Sequence, residues 1–190
     1  MELKTYTKRE RNMYMTGMAG QNIIYNIING AFTTYFMKDI LFIPAAVVSI
    51  ILVAAQVWDA FNDPMMGTIV DRTRSKWGKC RPYLLFVPVI NGVVTILCFL
   101  GGRYGYGPDA STMHNFLVVL WAAGFYILWG MTYTAGDIPL WGISALMTED
   151  EKHRQKLQSY ARIAAGIGTG VVVLGFQPLG LAMGGVIANA

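Results

Sequence analysis

Long apolar blocks separated by short charged stretches constrain this chain more than any other feature. The blocks fall at about 15–37, 44–70, 83–101, 114–147 and 160–188. Each is close to or above the ~20 residues a helix needs to cross the hydrocarbon core of a bilayer. In lipid every backbone polar group must be bonded within the protein, so such blocks are helices. With 54% of residues hydrophobic and 14% charged, the chain is too apolar for a soluble domain of its size. The expectation is an all-α membrane protein with about five transmembrane helices, a segment 1–14 ahead of the first and a bundle over 15–190. The first dozen residues are polar and basic, and the first block is too long and too polar for a signal core, so no cleavable leader is expected.

The charges between the blocks are lopsided. Lys4, Lys8, Arg9 and Arg11 precede the first block, Arg72, Arg74, Lys76, Lys79 and Arg81 fill the loop 71–82, and Lys152, Arg154 and Lys156 lie in the loop 148–159. The other two connections hold only Lys38 and Arg103 as basic residues. The positive-inside rule then puts the N-terminus and both basic loops in the cytoplasm of a multi-pass plasma-membrane protein. The net charge of +4 is a consequence of that topology, and a nucleic-acid partner is not expected. Cys80 and Cys98 follow no metal or disulfide spacing, and His114 and His153 are far apart in sequence, so neither a bound metal nor a cofactor is expected. The last block runs out in "LAMGGVIANA" on the external side, and five helices are an odd number for a pathway made of paired bundles. The chain therefore reads as a fragment.

Acidic and amide side chains inside the blocks carry the chemistry. An aspartate at mid-helix costs about 2.5–3.5 kcal/mol on insertion scales, so such residues need a reason. In "VWDAFNDPMMG", Asp59 and Asp63 are four apart on one helix face, and Asn62 adds a carbonyl oxygen near that face. Pro64 should kink the helix and free a backbone carbonyl. Such an all-oxygen nest suits a hard cation such as sodium, or a proton shared by the carboxylates. The alternative is a pair that faces a cytosolic vestibule or salt-bridges a neighbouring helix.

In "GQNIIYNIING", Asn22, Asn26 and Asn29 recur at helical spacing beside Tyr25, a polar stripe that either bonds another helix or lines a wet cavity. In "LWGMTYTAGDIPLWG", Thr134, Asp137 and Trp141 share a face. A carboxylate beside an indole can hold a sugar, the acid accepting hydroxyl hydrogens while the ring covers the C–H face. Otherwise Asp137 marks the cytosolic end of the span, unless the helix continues past Pro139. Arg162 either snorkels to the interface or pairs inward, and Gly166 and Gly170 form a small-xxx-small pair suited to close helix packing.

With these residues in hand, the chain resembles the N-terminal portion of a glycoside–pentoside–hexuronide:cation symporter, the melibiose permease-like family of the major facilitator superfamily. The resemblance runs over essentially the whole chain and rests on "WDAFNDPMMGTIVDRTRSKWGKCRPYLLF", "YILWGMTYTAGDIPLWG" and the arginine of "SYARIAAG". It implies a twelve-helix carrier in two six-helix halves, of which the C-terminal half would be missing here. Its cation site would fall on Asp59, Asn62, Asp63 and Thr134. Its sugar site would fall on Asp137, Trp141 and Arg162 with Tyr133 nearby, and Asn22, Tyr25 and Asn29 would line the same substrate from the first helix. Where sugar-binding members have a Lys-Asp pair on that helix, this chain has Gln21-Asn22, which leaves the sugar open. Arg72, Arg74, Lys76, Lys79 and Arg81 would form a cytoplasmic gating loop.

The function implied is symport of a glycoside, pentoside or hexuronide with sodium or a proton, lithium being a further candidate, by alternating access; it is not enzymatic. One alternative is a non-transporting sensor or truncated remnant of such a carrier. Another is an intramembrane aspartyl hydrolase using Asp59 and Asp137, against which Asp63 is a surplus acid and Thr134 stands where the Gly-x-Gly-Asp pattern needs its first glycine.

Overall fold

Helix starts are written into the sequence as caps, and the structure, a computed structural model that describes residues 5–100, 105–107, 110–176 and 178, uses them. The first helix, α1 (Lys8–Asn26), opens on a reciprocal capping box. The Glu10 amide donates to the Thr7 hydroxyl at 3.3 Å, and the Glu10 carboxylate accepts from the Thr7 amide at 2.8 Å. A π-helical segment, Ile27–Ile40, continues from it. α2 (Ala45–Arg72) follows Pro44, α3 (Arg81–Phe99) has a proline in its first turn, and α4 (Thr112–Met147) is the longest helix. α5 (Glu151–Val171) is capped by Asp150 and runs into a short π-helical segment, Val172–Phe176. Among the described residues there is no strand.

Four of these helical stretches are long and apolar enough to cross a membrane: Ala45–Arg72, Arg81–Phe99, Thr112–Met147 and Glu151–Gly175. The first block differs from expectation. The helix starts at Lys8, inside the segment 1–14 expected to precede it, and the block 15–37 divides between α1 and the π-helical segment. Its amides and charges lower the apolarity of α1, while the more apolar half continues as the wider helix.

The basic loops are also shorter than expected. Residues 73–80 alone connect α2 to α3, so Arg72 ends one helix and Arg81 begins the next. The stretch 148–159 is not a loop: α5 starts at Glu151, nine residues before the block at 160–188. Charged residues form hydrated helical turns as readily as loops once a cap is present, and hydropathy cannot tell the two apart. α4 passes unbroken through Pro139 and extends ten residues beyond Asp137, so Asp137 does not mark the end of that helix. Lys4, Gly101, Arg103 and the expected helix beyond 178 lie outside the described residues.

The chain divides into two compact units, Met1–Ala31 with Gly142–Ala190, and Phe32–Trp141. In the first, α1 packs along α5 with both chains running the same way. Tyr6 meets the His153 ring edge-on at 6.2 Å, the Arg11 guanidinium lies 5.2 Å from the Tyr160 ring centre, and Asn26 Nδ2 donates to Thr169 Oγ1 at 3.0 Å. Leu157, Ala161, Ala164 and Gly168 are the buried stripe of α5, spaced three and four apart. Gly168 is where the backbones meet, since a Cβ there would lie 2.4 Å from the Ala19 carbonyl oxygen. Gly166 and Gly170, the pair expected to pack, would each place a Cβ in open space. The small-residue pair therefore sits on the contacting helix but off its contact line.

Asp150 holds the start of α5. Its side chain accepts from the Lys152 amide at 2.9 Å and is also bonded to His153 Nδ1. The His153 bond and then the Lys152 amide hold its carboxyl below the usual carboxylate range. A depressed folded value means that this contribution is present above the unfolded carboxylate value near pH 4 and fades as pH falls through the lower folded value. Acidification below about pH 4 is therefore expected to fray the first turn of α5. Faster amide exchange at Lys152 would report it, and Asp150→Asn, which still caps but does not titrate, should remove the pH dependence.

The second unit is built on α2, α3 and α4. Cys98 Sγ donates to the Phe125 carbonyl at 3.6 Å, Trp129 Nε1 to Thr95 Oγ1 at 3.0 Å, and Thr132 Oγ1 to Asn91 Oδ1 at 3.0 Å. A Cβ on Gly136 would meet Val87 at 3.2 Å. Numbers on α3 fall as those on α4 rise, so the two are antiparallel. Phe32, Phe36, Phe99 and Tyr126 form an aromatic cluster with ring centres 5.2–6.2 Å apart.

Candidate functional site

α2 brings Asp59, Asn62 and Asp63 together by helical spacing alone; what the fold adds is the facing helix. Thr134 Oγ1 on α4 donates to Asp63 Oδ1 at 3.1 Å. One turn earlier on both helices, a Cβ on Gly130 would sit 3.4 Å from Asp59 Oδ1. The two pairs share one register, an offset of 71 residues. α2 and α4 thus run parallel here, with one carboxylate against a hydroxyl and the other against bare backbone. Gly130 was not singled out from sequence, although it stands four before Thr134 as Asp59 stands four before Asp63.

Burial grades across the cluster. Asn62 is 2% exposed and Thr134 8%, whereas Asp59 is half-buried and Asp63 exposed. The Asn62 Nδ2 group has no hydrogen-bond partner among the described residues. An unpaired buried N–H costs about 1–3 kcal/mol. A half-turn of the amide would exchange it for Oδ1, an acceptor that a cation could use. Pro64 has no N–H to give to the Ala60 carbonyl, which leaves another oxygen in the same turn without its usual helix partner. Two carboxylates with neutral oxygens around them can neutralise a small hard cation, or hold a proton between them. Among the described residues no three His, Cys, Asp or Glu side chains converge as a metal site would require.

The residues expected to hold a sugar fall in both units. In the second unit, Tyr133, Asp137 and Trp141 all lie on α4 and are half-buried. Tyr133 stacks on Trp129 with ring centres 5.0 Å apart and planes 18° from parallel. Trp129 is in turn fixed by its bond to Thr95 and is 3% exposed, so a buried indole orients the phenol beside Thr134. That supporting pair was not anticipated from sequence.

In the first unit, Asn22 Nδ2 donates to the Met18 carbonyl at 3.0 Å and Asn29 Nδ2 to the Tyr25 carbonyl at 3.1 Å. Tyr25 is 40% exposed. Asn26 of the amide stripe bonds another helix, through Thr169. Arg162 is exposed, off the buried stripe of α5.

The loop 73–80 is folded tightly. Thr73 Oγ1 lies 2.7 Å from the Tyr83 hydroxyl, Ser75 Oγ donates to the Gly78 carbonyl at 2.6 Å, and Gly78 takes φ +92°, which a side chain would strain. Arg72, Arg74, Lys76, Lys79 and Arg81 are all exposed, and Lys79 Nζ lies 3.9 Å from Asp71. Cys80 is buried beneath them; burial and then Asp71 push its thiol up, with Lys79 opposing.

The profile of the family described as MFS/sugar transport protein matches residues 13–189. The inner membrane symporter YicJ of Escherichia coli (strain K12) is 32% identical over 185 residues, covering 97% of this chain and 38% of the relative. The isoprimeverose transporter of Lactiplantibacillus pentosus is 27% identical over 176 residues, covering 93% and 35%. The raffinose carrier protein of Pediococcus pentosaceus is 28% identical over 173 residues, covering 85% and 26%. The chain thus spans less than two fifths of the length of these relatives. The profile match and these carriers together make the chain an integral membrane protein that belongs to the MFS/sugar transport protein family, the glycoside–pentoside–hexuronide:cation symporters of the major facilitator superfamily, which are transporters and not enzymes.

Proposed function

We propose that this chain supplies the coupling-cation site of a glycoside symporter, with Asp59, Asn62, Asp63 and Thr134 as the ligand set. The Thr134 bond to Asp63, across two helices that hold the acid pair in register, is the observation that carries this reading. A monovalent cation, sodium or a proton, binds at the acid pair and offsets one of its two negative charges. Tyr133, Asp137 and Trp141, on the turns of α4 flanking and following Thr134, contribute sugar contacts: the carboxylate accepts hydroxyl hydrogens and the rings cover apolar sugar faces. Because Thr134 and this group share one rigid helix, filling the cation site alters what the neighbouring turns offer a sugar. Such coupling is reciprocal in binding, so sugar tightens the cation by the same factor. Asn22, Tyr25, Asn29 and Arg162 are proposed as further sugar contacts on the strength of the family resemblance. The N-terminus and the loop 73–80 are assigned to the cytoplasmic side from the distribution of basic residues.

Uptake of a labelled glycoside into proteoliposomes tests the reading. An inward sodium gradient or an inward proton gradient is expected to drive accumulation, and the one that does identifies the coupling ion. Accumulation that neither gradient changes would remove the symport reading.

A further inference from the structure

Exposed apolar side chains on α3 and at its C-terminal cap form a continuous stripe: Phe86, Val89, Ile90, Val93, Ile96 and Leu100 are each 51–68% exposed. Their spacing of three and four keeps them on one helix face. At its N-terminal end the stripe is topped by a residue from outside the helix. The Trp77 ring, in the loop 73–80, stacks on Phe86 with centres 6.2 Å apart and planes 28° from parallel. Trp77 is itself 55% exposed, so the stack is not burial in a core.

The loop is built to hold that position. The Trp77 amide donates to Ser75 Oγ at 3.2 Å, the Gly78 amide to the Ser75 carbonyl at 3.1 Å, and Gly78 makes the left-handed turn. The stretch 71–81 that carries the indole holds five cations, from Arg72 to Arg81, against the single carboxylate of Asp71, which lies near Lys79. Arg74 and Lys76 make no ion pair among the described residues. An indole at the end of a lipid-facing stripe lies where hydrocarbon gives way to headgroups, and cations beside it lie at phosphate level.

We propose that Trp77, with Arg74 and Lys76, binds the headgroup of an anionic phospholipid at the membrane surface. The ring rests on the acyl–glycerol boundary against Phe86, and the two cations hold the phosphate. Charge complementarity selects this occupant, because a phospholipid offers a phosphate to the cations and acyl chains to the stripe in one molecule. The assignment requires that the chain span a membrane and is independent of the cation site.

Fluorescence quenching in nanodiscs tests it. The chain is placed in phosphatidylcholine discs that carry a minor fraction of brominated phosphatidylglycerol or the same fraction of brominated phosphatidylcholine. The chain has five tryptophans, so the Trp77 component is the difference between the wild type and Trp77→Phe. That component is expected to be quenched more by the anionic lipid. In Arg74→Gln/Lys76→Gln, which keeps Trp77, quenching should fall to the phosphatidylcholine level, each cation being worth about fivefold in local lipid enrichment. Equal quenching by both lipids in the wild type would overturn the proposal. Quenching by neither would show the stripe covered by protein and overturn it too. So would loss of the anionic excess on adding inorganic phosphate, which would make the ligand a soluble anion.

Discussion

Replacing Asp63 with asparagine is expected to remove most of the stabilisation that the coupling cation confers on this chain. Asp59, Asn62, Asp63 and Thr134 all lie within one compact unit, so the purified chain suffices for the measurement. A ligand that binds only the folded state stabilises it by about 2.7 kcal/mol when present at 100 times its Kd. Removing one of two carboxylates from a small cation costs about 3 kcal/mol, or about 100-fold in affinity. At 100 times the wild-type Kd, the sodium stabilisation should therefore fall from about 2.7 to about 0.4 kcal/mol in Asp63→Asn, and the sodium-dependent rise in Tm with it. Thr134→Val removes a neutral hydroxyl and should cost about 1 kcal/mol, or about fivefold, while Thr134→Ser keeps the oxygen and the response. If the proton is the coupling ion, the same series is read in proton-driven uptake. Full cation dependence in Asp63→Asn would place the site elsewhere.

Gly168→Ala is expected to be the most disruptive single-methyl change in the α1–α5 pair. The added Cβ would lie 2.4 Å from the Ala19 carbonyl oxygen, which is rigid backbone. One helix must then move, which breaks the close approach on which membrane helices rely when apolar burial gives no preference for protein over lipid. Overpacking of this kind costs about 1–3 kcal/mol. The Asn26–Thr169 bond, one residue along α5, should be lost with it. Gly166→Ala and Gly170→Ala have open space and should melt at or above the wild type, since alanine favours helix. Thermal unfolding of the three variants in one detergent is the measurement, and equal Tm values for all three would refute the assigned contact line.

The residues behind these two expectations are unequally legible in the sequence, and the reason is physical. Spacing along one helix is local, because 3.6 residues per turn fixes which side chains share a face. The Asp59–Asn62–Asp63 face and the Thr134–Asp137–Trp141 face therefore follow from residue order alone. So does membrane insertion, which follows from apolar blocks and the need to bond every backbone group in lipid.

Register between helices is not local. That Gly130 faces Asp59, that Trp129 orients Tyr133, and that Gly168 rather than Gly166 or Gly170 meets α1 depend on how two helices rotate and slide against each other. The extent of α5 differs from the hydropathy reading for a related reason: hydropathy marks what lipid will accept, whereas the helix starts where Asp150 caps it, in water. By itself the sequence determined the class of protein, its apolar blocks and the acidic face of α2, all properties of one element in one solvent. Family resemblance pointed to Thr134; tertiary structure alone decided that its hydroxyl bonds Asp63 and that bare backbone at Gly130 faces Asp59, because packing of facing side chains, and not composition, sets the contact.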